Sequence, residues 1–204
     1  MLSKKDIYRE KQFDKCLKKY CQICQCLNLM TLCESIGAFL FCKIFIKLLV
    51  NKRGESMKIK SYEKQYFAQL GAVMDKARMQ ELEAENLEPV FVAFRDAPYL
   101  DYLLSCKIYV ALEDGKLMGF IGFKPGKIEF IYVDPNAQGR GIATKLMEKT
   151  LDELKRPVSL EVFTNNNRAK ALYKKFGFET VKTITEKWSD EYPVLFSQDT
   201  MELK

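Results

Sequence analysis

The chain has 204 residues, 48% of them hydrophobic, which suits one globular domain with a substantial core. Its formal net charge of +6 lies entirely in the first 56 residues, which hold 11 Lys and Arg against 5 Asp and Glu, whereas the remainder holds 22 of each kind. The larger part is therefore not a basic nucleic-acid surface, and no nucleic-acid partner is expected. Because the chain has no histidine, a general base must be a carboxylate, a water molecule or a less usual group.

Residues 1–56 also differ from the rest in cysteine content. Six of the seven cysteines lie there, and the Cys21 and Cys24 pair lacks the second spaced pair of a metal site, so no metal is expected. The stretch SIGAFLFCKIFIKLLV is apolar but contains two lysines and is shorter than a membrane-spanning helix. One interpretation is an amphipathic membrane anchor.

A second interpretation is a start assigned too early. The residues KRGE can be encoded by a purine run that resembles a bacterial ribosome-binding sequence, and Met57 follows closely. We favour this interpretation, in which 1–56 is an unstructured or helical extension and 57–204 is the functional domain. A membrane partner is expected only if residues 1–56 belong to the natural protein.

From Met57 the predicted elements begin with a strand, MKIKSY, and a helix with Phe67, Leu70 and Met74 on its apolar face. The acidic stretch ELEAENLEP is expected to interrupt this helix, and APYLDYLLS predicts a second, short one. The segment CKIYVALEDGKLMGFIGF predicts two strands joined by a two-residue turn at Asp114 and Gly115.

The remaining elements alternate between strands and helices. A turn at KPGK leads into the strand KIEFIYV, and after the segment NAQGRGIA the apolar spacing predicts a helix as far as Leu154. Next come the strand VSLEVFT, the helix NNNRAKALYKKF and the strand GFETVKTI, and TMELK is expected to close the edge of the sheet. This order predicts an α+β fold with mixed strand directions.

The segment NAQGRGIA, residues 136–143, lies between a predicted strand and a predicted helix. A helix N-terminus exposes unpaired N–H groups and partial positive charge, so the backbone alone binds phosphate where side chains are small. The spacing matches neither the dinucleotide fingerprint nor a P-loop. Taken alone, the segment predicts either an anion site or a tight glycine turn.

Three successive segments resemble motifs of the GNAT superfamily of acyl-CoA-dependent N-acetyltransferases, as in a small bacterial member: VALEDGKLMGFIGF, IEFIYVDPNAQGRGIATKLM and LEVFTNNNRAKALYKKFGF. The resemblance covers the chain from Met57 onward. It implies a GNAT-like mixed, mostly antiparallel central sheet flanked by helices, with a splayed pair of parallel strands holding acetyl-CoA as cosubstrate. It also implies a cytoplasmic enzyme, monomeric or homodimeric.

The resemblance places cofactor binding on three segments. Backbone N–H groups from Gln138 through Ala143, which we call the glycine loop, would bind the pyrophosphate. The Arg140 side chain would either pair with a phosphate or be solvated. The strand IEFIYV would present N–H groups to the pantetheine and the thioester carbonyl, and Asn166 would contact the pantetheine arm or cap the next helix. The residues are Ile131, Tyr132, Val133, Gln138, Gly139, Arg140, Gly141, Ile142, Ala143 and Asn166.

Three residues are catalytic candidates. The resemblance implies that Tyr173 protonates the departing thiolate, whereas its place in an apolar helical stripe also suits a core tyrosine. Glu161 and Glu129 each put a carboxylate inside an apolar strand, which is costly unless the charge is paired or functional. Both are candidate bases, Glu161 being preferred, and a salt-bridged role is the alternative for each.

The acceptor is expected to be a primary amine of a small molecule or a peptide, attacking acetyl-CoA directly in a ternary complex. Acidic residues between Glu81 and Asp101 are expected to wall the acceptor side, where they attract a cation or belong to a solvated helix end. Two other functions remain open: a non-catalytic acyl-CoA sensor and a membrane-anchored acyltransferase that uses residues 1–56.

Overall fold

The computed structural model describes residues 57–204, so the interpretations of residues 1–56 lie outside the described residues. The described part contains four helices and seven strands. In chain order they are β1 (Lys58–Ser61), α1 (Phe67–Glu85), α2 (Leu100–Ser105), β2 (Lys107–Glu113), β3 (Lys116–Lys124), β4 (Lys127–Val133), α3 (Ile142–Leu151), β5 (Val158–Phe163), α4 (Asn167–Lys175), β6 (Glu179–Lys187) and β7 (Leu195–Leu203).

The seven strands form one sheet in the order β1-β2-β3-β4-β5-β7-β6. Strands β4 and β5 are parallel, and every other neighbouring pair is antiparallel. The predicted α+β class, with a mostly antiparallel sheet and one parallel pair, is confirmed. The β2–β3 turn is also as predicted, because Asp114 and Gly115 both have positive φ, at 49° and 75°, as a two-residue hairpin turn requires.

Helix α1 is longer than the sequence pattern suggested. The helix continues through the first five residues of the acidic stretch, because Glu, Leu and Ala are strong helix formers and Leu82 gains a buried position, 1% exposed. It then ends within the stretch, at Asn86, which adopts the left-handed conformation at φ 57°. The extra turns carry Glu81 and Glu85 along the sheet.

The expectation that the C-terminal segment closes the edge of the sheet is wrong. Strand β7 pairs with β5 on one side and with β6 on the other, so β6 is the edge strand. The alternation of buried Asp199, Met201 and Leu203 suits an interior strand, whereas nearly every residue of β6 is exposed. Inserting β7 separates β5 from β6.

The sheet has a hydrophobic cluster on each face. Strand β2 alternates between them: Val110 packs with α1 and α2, and Tyr109 packs with α3 and α4. The molecule is therefore a three-layer structure in which the sheet lies between α1 with α2 and α3 with α4.

Asp199 is the only charged side chain among residues 57–204 that is fully buried, at 2% exposed. It accepts hydrogen bonds from Lys170 Nζ at 2.5 Å, Thr183 Oγ1 at 2.7 Å and Thr164 Oγ1 at 3.0 Å. Burial raises the pKa of the Asp199 carboxyl. The hydrogen bonds from Lys170, Thr183 and Thr164 together lower it by more than burial raises it, so the net shift is downward. The cluster ties α4 to β7.

We predict that Asp199→Ala lowers the free energy of unfolding by about 3–5 kcal/mol, because Lys170 loses its partner in a partly buried position. Urea denaturation measures this, with exposed Glu186→Ala as a control expected within about 0.5 kcal/mol of wild type.

The same carboxylate gives a prediction for acid stability. Since the folded-state pKa of Asp199 is lowered, its contribution to the free energy of unfolding is present at neutral pH and is lost as the pH falls below the ordinary aspartate value near 3.9. An Asp199→Asn variant with the same acid sensitivity as wild type would contradict this.

Candidate active site

Strands β4 and β5 pair at one end and separate along their length. Their only pair is Lys127 with Ser159, where Ser159 N donates to Gly126 O at 2.9 Å. Opposite β3, Phe130 pairs with Gly122 and Ile128 with Phe123, which leaves Glu129 as the extra residue of a β-bulge. Beyond the bulge the two strands border a cleft that opens toward the carboxyl ends of β4 and β5.

The hydrogen-bond pattern of β4 shows which peptide groups face this cleft. Asp134 N donates to Met118 O at 2.8 Å, which places that pair in the hydrogen-bonded register with β3. Directions alternate along an antiparallel pair, so Tyr132 bonds to β3, whereas the N–H groups of Ile131 and Val133 point toward the cleft.

The glycine loop ends at the cleft. Gly139 and Gly141 adopt positive φ, at 79° and 77°, and Gly141 is the residue before α3. A side chain there would be strained, and no atom lies within 4 Å of a Cβ built at either glycine. The backbone N–H groups of residues 138–144 donate to no other group in the described part of the chain. They form a set of donors suited to an anion.

Two side chains of this loop have fixed partners. Gln138 Nε2 donates to Gln80 Oε1 at 2.8 Å and to Val133 O at 3.3 Å, and Gln138 Oε1 accepts from Arg168. Arg140 is paired with Glu113 on the β2–β3 hairpin, and the Arg140 guanidinium lowers the pKa of the Glu113 carboxyl. The Arg140 side chain is therefore paired with Glu113 and lines neither cavity of the cleft.

Two cavities occupy the cleft. The larger, about 710 Å³, is lined by the glycine loop and the start of α4; the smaller, about 360 Å³, is lined by β4, β5 and the aromatic residues Phe163, Trp188 and Phe196. They meet where six residues line both: Glu81, Ile131, Tyr132, Asn166, Ala169 and Tyr173. We call this place the junction.

Tyr173 brings a hydroxyl to the junction. The residue is 5% exposed and packs in the apolar cluster with Phe178. Its hydroxyl makes no hydrogen bond within the described residues, and the residue lines both cavities, whereas a core tyrosine usually finds a buried partner. Burial raises the pKa of the Tyr173 phenol, with a smaller contribution from Glu81, so the group is protonated at neutral pH.

Asn166 caps helix α4, which is one of the two roles that the sequence analysis left open for it. Its Oδ1 accepts from Ala169 N at 3.1 Å at the start of α4, which satisfies one free donor of the first turn. It also lines both cavities. Capping thus holds its amide at the junction.

The two glutamates proposed from the sequence share one lysine. Lys127 Nζ lies 3.3 Å from Glu161 Oε2 and 3.6 Å from Glu129 Oε2. Glu129 is 10% exposed at its side chain and accepts a hydrogen bond from Tyr102 at 2.7 Å, but Glu161 is 49% exposed. Both line the smaller cavity and neither lines the larger one.

The sequence did not indicate the role of Arg78. Its guanidinium lies 5.5 Å from the Phe163 ring centre and 5.7 Å from that of Trp188, and Nη1 is 2.6 Å from Glu81 Oε2. The pattern identified Glu81 only as one acid of an acidic wall. The i,i+3 spacing of Arg78 and Glu81 on a helix was the signal available.

The model of the Acetyltransferase (GNAT) family matches residues 73–178, just over half of the chain, and the chain belongs to this family. Peptidyl-lysine N-acetyltransferase YiaC of Escherichia coli is 35% identical over 92 residues, covering 44% of this chain and 60% of YiaC. N-alpha-acetyltransferase RimI of Mycobacterium tuberculosis is 38% identical over 80 residues, covering 35% of this chain and 51% of RimI. The chain thus spans about half to three fifths of these curated relatives.

Solved structures share the fold. An N-acetyltransferase from Staphylococcus aureus has a TM-score of 0.58 at 23% identity, covering 74% of this chain and 99% of that one. The acetyltransferase yncA from Salmonella typhimurium, solved with acetyl-CoA, has a TM-score of 0.57 at 21% identity, covering 74% and 94%. The splayed strand pair of the resemblance is therefore part of a known fold.

Residues 57–204 lack both a membrane-spanning helix and a cluster of metal ligands. None of these residues form a helix of the length and hydrophobicity that crossing a bilayer demands. In the same range no three His, Cys, Asp or Glu side chains cluster as metal ligands do.

The contact between Tyr102 and Glu129 gives a prediction for the smaller cavity. The hydrogen bond to Glu129, with smaller contributions from burial and from the Glu129 charge, raises the pKa of Tyr102 to about 12. We predict that Glu129→Gln returns this pKa toward the ordinary tyrosine value near 10. Tyrosine-labelled NMR, with the Tyr102 signal assigned from Tyr102→Phe, measures it. Glu161→Gln is the matched control, because Glu161 accepts no bond from Tyr102 and its charge raises the Tyr102 pKa less than Glu129 does. Equal titration in wild type and Glu129→Gln would contradict the contact.

Proposed function

We propose that the protein transfers an acetyl group from acetyl-CoA to a primary amine by direct attack in a ternary complex, with residues 57–204 as the catalytic unit. The observation that carries this proposal is the row of unpaired N–H groups at residues 138–144, which ends where β4 and β5 separate. Family membership supports it, since the family is one of acetyltransferases.

The fit to coenzyme A rests on the backbone. A pyrophosphate would accept from the loop donors, which lie beside a helix N-terminus and have no competing partner in the described residues. Gly139 and Gly141 leave the approach open. The pantetheine arm would lie along β4, where Ile131 and Val133 offer N–H groups, and one of these would polarise the thioester carbonyl.

Tyr173 would supply the proton that the departing thiolate of coenzyme A needs. Its hydroxyl lies at the junction without a partner among the described residues, and its raised pKa keeps it protonated at neutral pH. A free donor on a side chain that is only 5% exposed can form a strong hydrogen bond to developing negative charge. Ala169 and Phe178 keep water from the ring.

The base that accepts the proton of the amine is proposed to be a carboxylate. Glu161 and Glu129 are the candidates that the sequence and the resemblance put forward, and both line the smaller cavity. In the structure each is within ion-pair distance of Lys127, so the acceptor ammonium would compete with this lysine at either carboxylate.

The smaller cavity is proposed to admit the acceptor amine. Its three carboxylates, Glu81, Glu129 and Glu161, favour a cation, and its aromatic wall suits an alkyl chain. The names of relatives refer to peptidyl-lysine and to N-alpha acceptors, so peptides with free lysines or free N-termini come first in a screen, followed by polyamines, amino acids and aminoglycosides. Release of free coenzyme A separates an enzyme from an acyl-CoA sensor, which binds without turnover.

We predict that Gly141→Glu weakens acetyl-CoA binding at least about tenfold, because its carboxylate would stand beside the pyrophosphate. Gly115→Glu is the matched control: Gly115 has φ +75°, Gly141 has φ +77°, and both have open space at Cβ. Strain and charge are thus equal, and the position alone differs. Calorimetry giving equal affinities for the two folded variants would refute the loop as the phosphate site.

We predict that Tyr173→Phe lowers kcat by roughly 10²-fold or more while leaving acetyl-CoA affinity within a factor of about three, since the lost hydroxyl acts in turnover. Steady-state coenzyme A release and calorimetry measure the two quantities. Tyr109→Phe, on the same face of the sheet but outside both cavities, is the control. An unchanged kcat with chemistry limiting would move the proton donor to another group.

A further inference from the structure

Glu81 is the one carboxylate among the described residues that lines both cavities of the cleft. Of the six residues that line both cavities, it alone has a carboxylate. Amine and thioester must meet where the acceptor and cofactor cavities join, because a bond forms between them. Glu129 and Glu161 line only the smaller cavity.

One oxygen of Glu81 is held and the other is free to act. Oε2 accepts from Arg78 Nη1 at 2.6 Å and from the Tyr132 hydroxyl at 3.3 Å. Oε1 has no hydrogen-bond partner among the described residues, and the side chain is 20% exposed. Two contacts on one oxygen fix the carboxylate and leave the second oxygen's lone pairs for a proton.

The groups around Glu81 come from several elements. Arg78 lies on the same helix, Tyr132 on β4, Tyr99 before α2 and Tyr173 on α4. Of these only Arg78 is charged at neutral pH. Arg78 is itself stacked over the rings of Phe163 and Trp188, so its position, and through it that of Glu81, is restricted.

The other two carboxylates are engaged elsewhere. Lys127 Nζ lies within 3.6 Å of both Glu129 and Glu161, and Glu129 also accepts from Tyr102. Both oxygens of Glu129 are thus engaged, whereas Glu161 Oε1 has no partner among the described residues but belongs to a side chain that is 49% exposed and lines only the smaller cavity. Glu81 also keeps Oε1 open, and it does so at the junction.

We infer that Glu81 is the general base of the proposed transfer, an inference that rests on the proposed function and adds a catalytic residue to it. Glu81 Oε1 takes one proton from the acceptor ammonium, directly or through one water, and passes it to solvent. The neutral nitrogen then bonds to the thioester carbon, the carbon–sulfur bond breaks, and Tyr173 gives its proton to the sulfur. The second proton of the amine nitrogen returns to Tyr173, so the amide, free coenzyme A and one released proton balance the reaction.

The test compares Glu81→Gln, Glu129→Gln and Glu161→Gln, with Glu83→Gln on the exposed side of α1 as the matched control. For each variant kcat/KM is measured against pH with an amine acceptor found in the screen, acetyl-CoA affinity by calorimetry and folding by thermal melting. We expect Glu81→Gln to lower kcat/KM about 10²-fold near neutral pH, with acetyl-CoA affinity unchanged. The defect should shrink as the pH rises toward the acceptor's own pKa, near 10.4 for a lysyl amine.

The pH profile separates chemistry from structure. A merely structural role through Arg78 would give the same loss at every pH, and that result overturns the inference. It is also overturned if Glu129→Gln or Glu161→Gln shows the pH-dependent loss in place of Glu81→Gln. If Glu81→Gln does not fold, Glu81→Asp takes its place, because it keeps the charge and withdraws it by one methylene. We expect Glu81→Asp to lose part of its kcat/KM and to keep the wild-type pH profile. Full activity of Glu81→Asp would contradict the role of Glu81.

Failure of the inference is distinguishable from failure of the proposed function. A wild-type protein that binds acetyl-CoA yet releases no coenzyme A with any amine refutes the proposed transfer, and the base role with it. A wild-type protein that turns over, and whose Glu81→Gln variant stays within about threefold of it at neutral pH, refutes only the role of Glu81.

Discussion

The separation of β4 from β5 after a single residue pair is the constraint on which the rest of the structure depends. Buried peptide groups need partners, and two diverging strands leave theirs unpaired along the cleft. The bulge at Glu129 bends β4 at the point of separation. The cleft therefore has an exposed backbone edge at Ile131 and Val133, which an extended ligand with amide groups can complete as an added strand would.

Charge in this cleft is arranged in pairs. Lys127 lies between Glu129 and Glu161 at the end where the strands still meet, and Arg78 holds Glu81 where the two cavities join. The Lys127 side chain is 37% exposed, whereas Arg78 is largely enclosed by Phe163 and Trp188. The proposed acceptor, if cationic, would displace the more exposed Lys127 at lower cost than the enclosed Arg78, because exposed ion pairs contribute little.

Local sequence patterns predicted many of the helices, strands and turns, but they did not predict which distant strands pair with each other. The hairpin at Asp114 and Gly115 and the helix that follows Gly141 depend on neighbouring residues, and the sequence placed both. The position of β7 between β5 and β6 depends on pairing with residues far along the chain, which periodicity does not encode. For the site, the resemblance indicated Tyr173 and the glycine loop, whereas the position of Glu81 at the junction depends on the continuation of α1 to Glu85, which the sequence pattern did not predict.

Gln138 has a consequence for the energetics of ligand capture. Its side chain forms hydrogen bonds with Gln80 on α1, the Val133 carbonyl on β4 and Arg168 on α4. Contacts with three different elements therefore hold the loop in place without a ligand. The entropy lost in ordering such a loop is spent during folding rather than during association. The N–H donors proposed to bind the pyrophosphate are thus preorganised, and a larger share of their interaction energy would remain available as affinity.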